Sequence, residues 1–461
     1  MGRKPRRRAA ARFVHTVLQR SAMNDVTLTA ADEAGSSHFA GAAPQAASCT
    51  SQFRLIAACS IGNALEMYDF TVYSFFALLI GRLFFPSDSP YGSLLLAVAT
   101  FGIGFVMRPL GAFVIGSYAD RRGRKAAMTL TIALMVAGTL CLAFAPTYAQ
   151  AGVLGSLVIL AGRLLQGFSL GGEIGAATAM LMESGAVGQR GFRVSWQLGS
   201  QGISALLGAL TGALLYTFLT PAALESWGWR LPFLGGLAIA PVGLYIRSKL
   251  DETHEAAPDA RSPLGTLLRE HGKQVVQGIL AVTAGTVGMY LVVFFMPTYM
   301  IRVLKMPPSL SLLSGCATGL TMLVASLVAG RLADRLARRK PLVLASLLFN
   351  IVAVVPAFWL MTRYPSVPLV LLLSVVMTAA TNLGSTPMLL IMMELLPKHV
   401  RASGLSVIYS IGVTVFGGSS QFVVTWLLAK TGNPLTPALY LVACAFVTLF
   451  AVLSIRENRV A

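Results

Sequence analysis

The chain has 461 residues, of which 55% are hydrophobic and only 12% are charged. A soluble protein of this length needs more charged surface, so the composition excludes a soluble globular fold and indicates a chain surrounded mostly by lipid. The net charge of +18 could suggest a nucleic-acid-binding protein, but the distribution of the basic residues argues against that function.

The first 53 residues differ in composition from the rest of the chain. Arginine is frequent in the first 20 residues, which contain no acid, and Ala, Ser and Gly are abundant in the next 30. No apolar core follows the basic residues, which excludes a secretory signal. We predict a disordered cytoplasmic tail over residues 1–53, with a transit peptide or a translation start at Met23 as alternatives.

Long apolar segments follow the tail. Several intervals without any charged residue exceed the roughly 20 residues that a helix needs to cross the hydrocarbon. Lipid offers the backbone no hydrogen-bond partners, so these segments must be helices. We predict an all-α polytopic membrane protein with twelve spans, at 54–85, 92–118, 126–146, 153–183, 194–220, 230–247, 274–301, 309–330, 341–361, 366–395, 402–429 and 435–455.

The basic residues indicate how these spans are oriented. With both termini in the cytoplasm, 28 of the 36 Lys and Arg lie on the cytoplasmic side, five lie outside and three lie within spans. This bias is the positive-inside rule, so the basic surplus reports topology rather than nucleic-acid binding. An odd number of spans would place Arg456 and Arg459 outside, which fits the bias of the basic residues less well than twelve spans do. We therefore predict a multi-pass protein of the cell (inner) membrane.

The spans divide into two halves of six, residues 54–247 and 274–455. A charged cytoplasmic linker at 248–273 joins them, and a short cytoplasmic tail follows at 456–461.

Two pairs of sequence landmarks indicate that the halves repeat. GSYADRRGRK (116–125) follows the second span and GRLADRLARR (330–339) follows the eighth, at an offset of 214. Glu183 and Glu394 each precede an arginine by seven residues and are offset by 211. Parallel six-helix repeats are a transporter plan in which the substrate site lies between the halves, near the middle of the membrane.

Five ionisable residues lie within the predicted hydrocarbon region, all of them in the N-terminal half. An ionisable group inside a membrane is energetically costly and is a functional hypothesis by default. Three acids against two arginines leave one acid without a basic partner. The five residues are Glu66, Asp69, Arg108, Arg163 and Glu173.

The first span carries a polar stripe made of Asn63, Glu66, Asp69 and Tyr73, which lie on one helical face and must point to the protein interior. Two carboxylates three residues apart repel each other, which favours protonation of one of them. We predict that Glu66, Asp69 and Glu173 couple transport to protons. The alternative is a static packing network.

The first landmark resembles the signature of the major facilitator superfamily, Gly-x-x-x-Asp-Arg-x-Gly-Arg-Lys, with a second copy that departs at Ala337. The resemblance implies that this segment latches neighbouring helices at a cytoplasmic gate. We assign gating to Asp120, Arg121, Arg124, Asp334 and Arg335. A structural role is expected for the charges of Arg163, Glu183 and Glu394.

A narrower resemblance covers most of residues 54–455. It rests on GNALEMYDF (62–70), MRPLG (107–111), GRLLQGFSLGGE (162–173), SWQ (195–197) and WGWR (227–230). These segments are similar to the metabolite–proton symporters, and more to the citrate and tricarballylate carriers than to the proline/betaine or α-ketoglutarate carriers.

The resemblance implies secondary active transport, with proton symport of a small organic acid and a monomeric protein. A zwitterionic osmolyte, a shikimate-like solute and drug efflux are the alternatives. The family's MRP motif implies that Arg108 faces the cavity, where a guanidinium could hold a carboxylate. The predicted substrate ligands are Asn63, Tyr73, Arg108, Gln197, Gln201, Tyr290 and Asn382.

The sequence shows no pattern of an enzyme. It has no phosphate loop, nucleophile elbow or metal-ligand cluster, which also excludes a nucleotide-driven pump. The five cysteines lack metal or redox spacing, and the five histidines fall in predicted tails or loops. We therefore predict no cofactor, no metal and no nucleic-acid partner; the expected partners are a small solute, protons and membrane lipid.

Overall fold

The computed structural model describes residues 49–122, 124–171, 173–184, 187–237, 241, 267, 269–397 and 400–457, and their secondary structure is entirely helical. The predicted tail at 1–53, the linker at 248–273 and the tail at 456–461 therefore lie mostly outside the described residues.

The helices of the first half are labelled by the predicted span that each one fills. Short helical turns at Tyr148–Ala151 and Pro221–Ser226 connect some of them. The labels are α1 (Cys49–Phe75, continued by Ala77–Phe84), α2 (Gly92–Arg122), α3 (Arg124–Phe144), α4 (Val153–Ser169 and Glu173–Glu183), α5 (Arg190–Phe218) and α6 (described over 231–237).

The helices of the second half follow the same scheme. Two of them contain an internal π-helical segment. They are α7 (Gly272–Gly288, π segment Met289–Phe295, then Met296–Arg302), α8 (Pro308–Arg335), α9 (Lys340–Arg363), α10 (Val367–Leu395), α11 (Arg401–Gly412, π segment Val413–Gly418, then Ser419–Thr431) and α12 (Thr436–Ser454).

Most of these helices are long and apolar enough to cross a membrane. Within the described residues, eight helices meet that test, and α1 makes a ninth if its two parts, bent by 67°, are one span. The apolar stretches of α3 and α4 are shorter, at Thr129–Phe144 and Val153–Ser169. The sixth predicted span, 230–247, is described only in part.

The helices extend beyond the predicted spans at the end of the bundle that carries the two repeated landmarks. Asp120 and Arg121 belong to the last turns of α2, Arg124 begins α3, and Asp334 and Arg335 end α8. The predicted spans 92–118, 126–146 and 309–330 leave these residues outside the helices. The difference arises because charged residues can continue a helix past the lipid boundary, where water replaces the hydrocarbon.

The two halves meet along α5 and α8, which form the most extensive helix pair of the structure. Glycines allow the backbones to approach. A Cβ atom on Gly202 would lie 2.6 Å from the carbonyl oxygen of Gly319, and one on Gly191 would lie 2.4 Å from that of Gly330. Small residues that permit close backbone approach are typical of helix pairs in membranes.

Large apolar side chains cover the outer surface of the bundle. Phe218, Val352 and Phe450 are 78%, 72% and 69% exposed. Such exposure would be unfavourable in water and matches a surface that faces lipid tails.

Candidate functional site

A central cavity lies between the halves, with about 970 Å³ of space not occupied by protein atoms, part of it open to the outside of the protein. α1, α2, α4, α5, α7 and all helices from α8 to α12 contribute to its wall. Among the described residues that line it, Arg108 is the only charged one. Its described lining therefore carries one positive charge, and most of its other described lining residues are apolar or neutral polar.

Arg108 lies on α2 and is buried, with 4% of its surface exposed. Its guanidinium carbon lies 4.4 Å from the centre of the Phe105 ring and 5.8 Å from that of Phe70. Its Nε and Nη2 atoms have no hydrogen-bond partner among the described residues. Glu66 and Tyr290 lie within electrostatic range of this guanidinium. Buried donors of this kind are expected to find a partner in a ligand or in water.

Three further predicted substrate ligands line the same cavity: Gln201 on α5, Tyr290 on α7 and Asn382 on α10. The Asn382 amide is already used, since its Nδ2 donates to the Thr378 carbonyl at 2.9 Å and its Oδ1 accepts from Ser326. Gln201 and Tyr290 make no side-chain hydrogen bond within the described part of the chain, so their polar atoms remain available to a solute.

Tyr290 lies in the π segment of α7. A π-helical insertion rotates the residues that follow it, and such insertions are frequent at functional sites. The π segment ends directly before Met296 and Pro297. The π segment of α11 faces it, because a Cβ atom on Gly417 would lie 2.9 Å from the Tyr290 ring.

Several cavity-lining polar residues were not predicted from the sequence. Asn350, Thr381, Ser385 and Tyr409 line the cavity from α9, α10 and α11. A single neutral polar residue in an apolar helix is common, so its type alone could not distinguish these residues from ordinary helix-packing residues.

Three predicted ligands lie elsewhere. Asn63 and Gln197 bond to each other at the contact of α1 and α5, where Gln197 Nε2 donates to Asn63 Oδ1 at 3.0 Å. The Asn63 amide also donates to Ser200 Oγ at 2.6 Å. The Tyr73 hydroxyl donates to the Ala97 carbonyl at 3.1 Å. None of the three is among the described residues that line the central cavity, and their contact with substrate stays a prediction.

Asp69 is the centre of a buried polar network that joins α1, α3 and α4. Its Oδ2 atom accepts hydrogen bonds from the Thr139 hydroxyl and, at 2.9 Å, from Gln166 Nε2. The Gln166 Oε1 atom accepts from Arg163 Nη1 at 2.7 Å. Close approach of α3 and α4 makes this possible, because a Cβ atom on Gly138 would lie 2.7 Å from the Gly162 carbonyl oxygen.

Arg163 is fully buried in an aromatic surrounding. Its guanidinium carbon lies 3.9 Å from the centre of the Tyr73 ring and 4.5 Å from that of Phe70. These contacts and the Gln166 bond fit the structural role expected for this charge.

Of the two other predicted proton carriers, the structure describes the side chain of Glu66 but not that of Glu173. Glu66 is buried on α1, with 8% of its surface exposed. Glu173 begins the second part of α4, and its side chain lies outside the described residues.

Asp334 connects the halves at the end of α8. Its carboxylate accepts hydrogen bonds from the backbone N–H groups of Gly191 at 2.6 Å and Phe192 at 2.9 Å, in the first turn of α5. The guanidinium of Arg331 lies 4.1 Å from the centre of the Phe192 ring. Arg335 is exposed. The side chains of Asp120, Arg121 and Arg124 lie outside the described residues.

The two repeated glutamates have different partners. Glu394 accepts from Arg339 Nη1 at 2.6 Å within the second half. Glu183 lies 3.7 Å from Arg401 Nη1, an ion pair that joins α4 to the first residue of α11 across the two halves.

Comparison with known families identifies the fold. The family model described as Major Facilitator Superfamily matches residues 59–415. The chain belongs to the major facilitator superfamily. It is a transporter of that superfamily and not an enzyme, and the resemblance predicted from the sequence is confirmed.

Curated relatives cover most of the chain. A citrate-proton symporter of Klebsiella pneumoniae is 35% identical over 395 residues, which are 85% of this chain and 88% of the relative. A putative proline/betaine transporter of Staphylococcus aureus (strain COL) is 34% identical over 419 residues, 86% of each chain.

Solved structures show the same major facilitator fold. A partially occluded inward-open structure of the xylose transporter XylE from E. coli has a TM-score of 0.73 at 15% identity, over 89% of this chain and 99% of that one. A variant of the E. coli fucose:proton symporter FucP has a TM-score of 0.62 at 13% identity, over 89% and 99%. The prediction of an all-helical multi-pass protein of this fold is confirmed.

Proposed function

We propose that this chain is a secondary active transporter that carries a small organic acid, a citrate- or tricarballylate-like di- or tricarboxylate, together with protons. It acts in the cell (inner) membrane as a monomer, with both termini in the cytoplasm. The observation that supports the substrate class best is that Arg108 is the only charged residue among the described ones that line the central cavity.

The geometry of Arg108 favours a carboxylate ligand. The Phe105 and Phe70 rings lie beside the guanidinium, and its Nε and Nη2 donors have no protein partner among the described residues. A planar fork of donors matches a carboxylate in a bidentate arrangement. Gln201 and Tyr290 offer neutral polar groups for the remaining oxygens of a small acid.

Proton coupling is assigned to Asp69 and Glu66, with Glu173 as the third candidate. Glu66 lies within electrostatic range of Arg108, so an ionised Glu66 competes with an anionic solute for that guanidinium. Protonation of Glu66 removes the competing charge and strengthens binding of the anion, and bound anion strengthens binding of the proton to the same degree.

A zwitterionic osmolyte is the second candidate, because relatives of equal coverage are proline/betaine transporters. The carboxylate of such a solute would also suit Arg108. The rings of Tyr290 and Tyr409, both in the cavity wall, could accept its cationic end. The two candidate functions differ in the net charge of the solute, which is negative for a di- or tricarboxylate and zero for a zwitterionic osmolyte.

The deciding experiment is uptake into proteoliposomes with an imposed pH gradient. The solutes are citrate, tricarballylate, α-ketoglutarate, shikimate, proline and betaine. We expect accumulation of a di- or tricarboxylate that disappears when a protonophore collapses the gradient. Accumulation of proline or betaine alone would replace the anion assignment by the osmolyte one. A sodium gradient at constant pH tests whether sodium drives uptake instead.

A further inference from the structure

A second cavity lies inside the N-terminal half, with about 510 Å³ of space not occupied by protein atoms, part of it open to the outside of the protein. We call it the α1–α3–α6 cavity, after the helices that form it. It shares no described lining residue with the central cavity. Its described lining residues are Gly62, Leu65, Glu66 and Asp69 of α1, Ile132, Met135, Val136 and Thr139 of α3, and Gly236 and Leu237 of α6.

Asp69 presents one carboxylate oxygen without a partner beside this cavity. The residue is 3% exposed, and its Oδ2 atom is bonded to Thr139 and Gln166. Its Oδ1 atom is buried and has no hydrogen-bond partner within the described residues. A buried carboxylate oxygen without a partner is unfavourable, so a proton, a water molecule or an ion is expected there.

Gly236 on α6 packs closely against this oxygen, where a larger residue would meet it. A Cβ atom on Gly236 would lie 2.6 Å from Asp69 Oδ1, which is closer than a carbon atom can approach without displacing it. The neighbouring Gly235 differs, since its Cβ atom would meet only the Tyr68 hydroxyl, at 3.9 Å. The two glycines therefore offer a matched pair of positions on one helix.

The charges around Asp69 come from two helices. Arg163 of α4 acts on it electrostatically and through Gln166, and Glu66 and Tyr68 lie on its own helix. The described residues that α3 and α6 contribute to the cavity carry no titratable group. Asp69 and Glu66 are thus the only described acids in a cavity whose other polar side chain is Thr139.

We propose that Asp69 exchanges its proton through the α1–α3–α6 cavity, so that protons and solute reach α1 from different cavities. A hydronium ion in the cavity transfers a proton to Asp69 Oδ1: one O–H bond of the hydronium breaks, the Oδ1–H bond forms, and water remains. On release the same proton returns to a water molecule. This inference rests on the proposed function in that Asp69 is taken as a proton carrier.

The first test compares Gly236→Ala with Gly235→Ala in proteoliposomes, with the solute that wild type transports. Two rates are measured: uptake driven by a pH gradient, and exchange of labelled for unlabelled solute without a gradient. The methyl group in Gly236→Ala would press on Oδ1 and separate it from the cavity, so driven uptake should fall about tenfold while exchange stays near that of wild type. Gly235→Ala should leave both rates unchanged.

Equal driven uptake in the two variants would overturn the proposal. A parallel loss of driven uptake and exchange in Gly236→Ala would also overturn it, because that result indicates damage to the fold rather than to the proton path. Driven uptake that follows sodium instead of pH would assign the cavity to sodium and contradict the proton path.

A second test needs no transport and so separates this inference from the proposed function. Val136→Cys places a thiol in the cavity wall, and Ala143→Cys places one in the apolar core of the same helix, both in a background without the native cysteines. Aminoethyl methanethiosulfonate is charged and reacts only where water reaches. We expect labelling of residue 136 with bound solute present, slowed by Gly236→Ala, and none of residue 143. An unreactive residue 136 would refute a hydrated cavity, whatever the transported solute is.

Discussion

Asp69 and Arg163 are joined through one side-chain amide. Gln166 donates from Nε2 to Asp69 Oδ2 at 2.9 Å and accepts at Oε1 from Arg163 Nη1 at 2.7 Å. An amide of fixed orientation therefore carries the influence of the arginine to the carboxylate without a direct ion pair. This arrangement stabilises the ionised carboxylate less than a direct guanidinium contact would, which suits a group that must bind and release a proton.

Removal of the Gln166 amide should shift the pH dependence of driven uptake. In Gln166→Leu, Asp69 loses one hydrogen bond and its link to Arg163, while a side chain of similar size keeps α3 and α4 together. Hydrogen bonds to charged groups contribute about 1.5–3 kcal/mol, so the pH at which driven uptake is half-maximal should move by about one to two units. Gln150→Leu, at an exposed turn, is the control. An unchanged pH profile in Gln166→Leu would remove Gln166 from the coupling network.

Neutralisation of the carboxylate itself should separate exchange from accumulation. Asp69→Asn keeps the acceptor for Thr139 and Gln166 but cannot take up a proton. We expect loss of pH-driven accumulation with solute exchange retained. Asp88→Asn, at an exposed turn between α1 and α2, should behave as wild type. Accumulation at the wild-type level in Asp69→Asn, Glu66→Gln and Glu173→Gln alike would exclude all three carboxyl groups.

The sequence predicted the fold, and it also selected residues that line the candidate site, for different reasons. Uniformly apolar segments admit only helices in lipid, which makes the spans predictable from composition. Arg108, Gln201 and Tyr290 reach one cavity, as their positions in helices 2, 5 and 7 implied.

The rest depends on contacts between distant residues. Gln166 can bridge Asp69 and Arg163 only because Gly138 and Gly162 bring α3 and α4 together. Its segment, GRLLQGFSLGGE, carries part of the family resemblance, but nothing in it indicates which side chain Gln166 contacts. The bond between Asn63 and Gln197 likewise could not be read from two residues that are each compatible with a ligand.

A change of arginine to lysine at position 108 should test the charge of the solute. Arg108→Lys keeps the positive charge but loses the planar fork and its contact with the Phe105 ring. Loss of one charge-assisted hydrogen bond should weaken carboxylate binding by about tenfold to a hundredfold. Affinity is measured on monodisperse protein in detergent, with Arg302→Lys as a control at the end of α7. Wild-type affinity for the carboxylate in Arg108→Lys would contradict the assignment.

The contact of Asp334 with α5 should govern the rate of conformational exchange. Its carboxylate accepts from the N–H groups of Gly191 and Phe192, where the positive end of the α5 dipole adds to the attraction. Asp334→Asn replaces one acceptor oxygen by an NH₂ group that faces an N–H donor. We expect a lower transport rate with solute affinity nearly unchanged. A variant with a normal rate and lost affinity would show that Asp334 acts on the solute site instead.

A residue larger than glycine at the close contact of α5 and α8 should lower the stability of the protein and change its transport rate. A Cβ atom on Gly319 would lie 2.5 Å from the backbone nitrogen of Leu206 and 2.9 Å from the Gly202 carbonyl oxygen, and backbone atoms cannot move aside as a side chain can. Gly319→Ala therefore has to separate the two helices, at a cost of about 1–3 kcal/mol for overpacking.

The measurement is thermal unfolding of the purified protein, followed by tryptophan fluorescence, together with solute exchange in proteoliposomes. The matched control is Gly188→Ala, because a Cβ atom on Gly188, just before α5, meets no atom within 4 Å. Gly319→Ala should unfold at a lower temperature than wild type and Gly188→Ala should not. Because α5 and α8 join the two halves, the same substitution should also change the exchange rate. An unfolding temperature equal to that of Gly188→Ala would mean that the helices can separate at this point without loss.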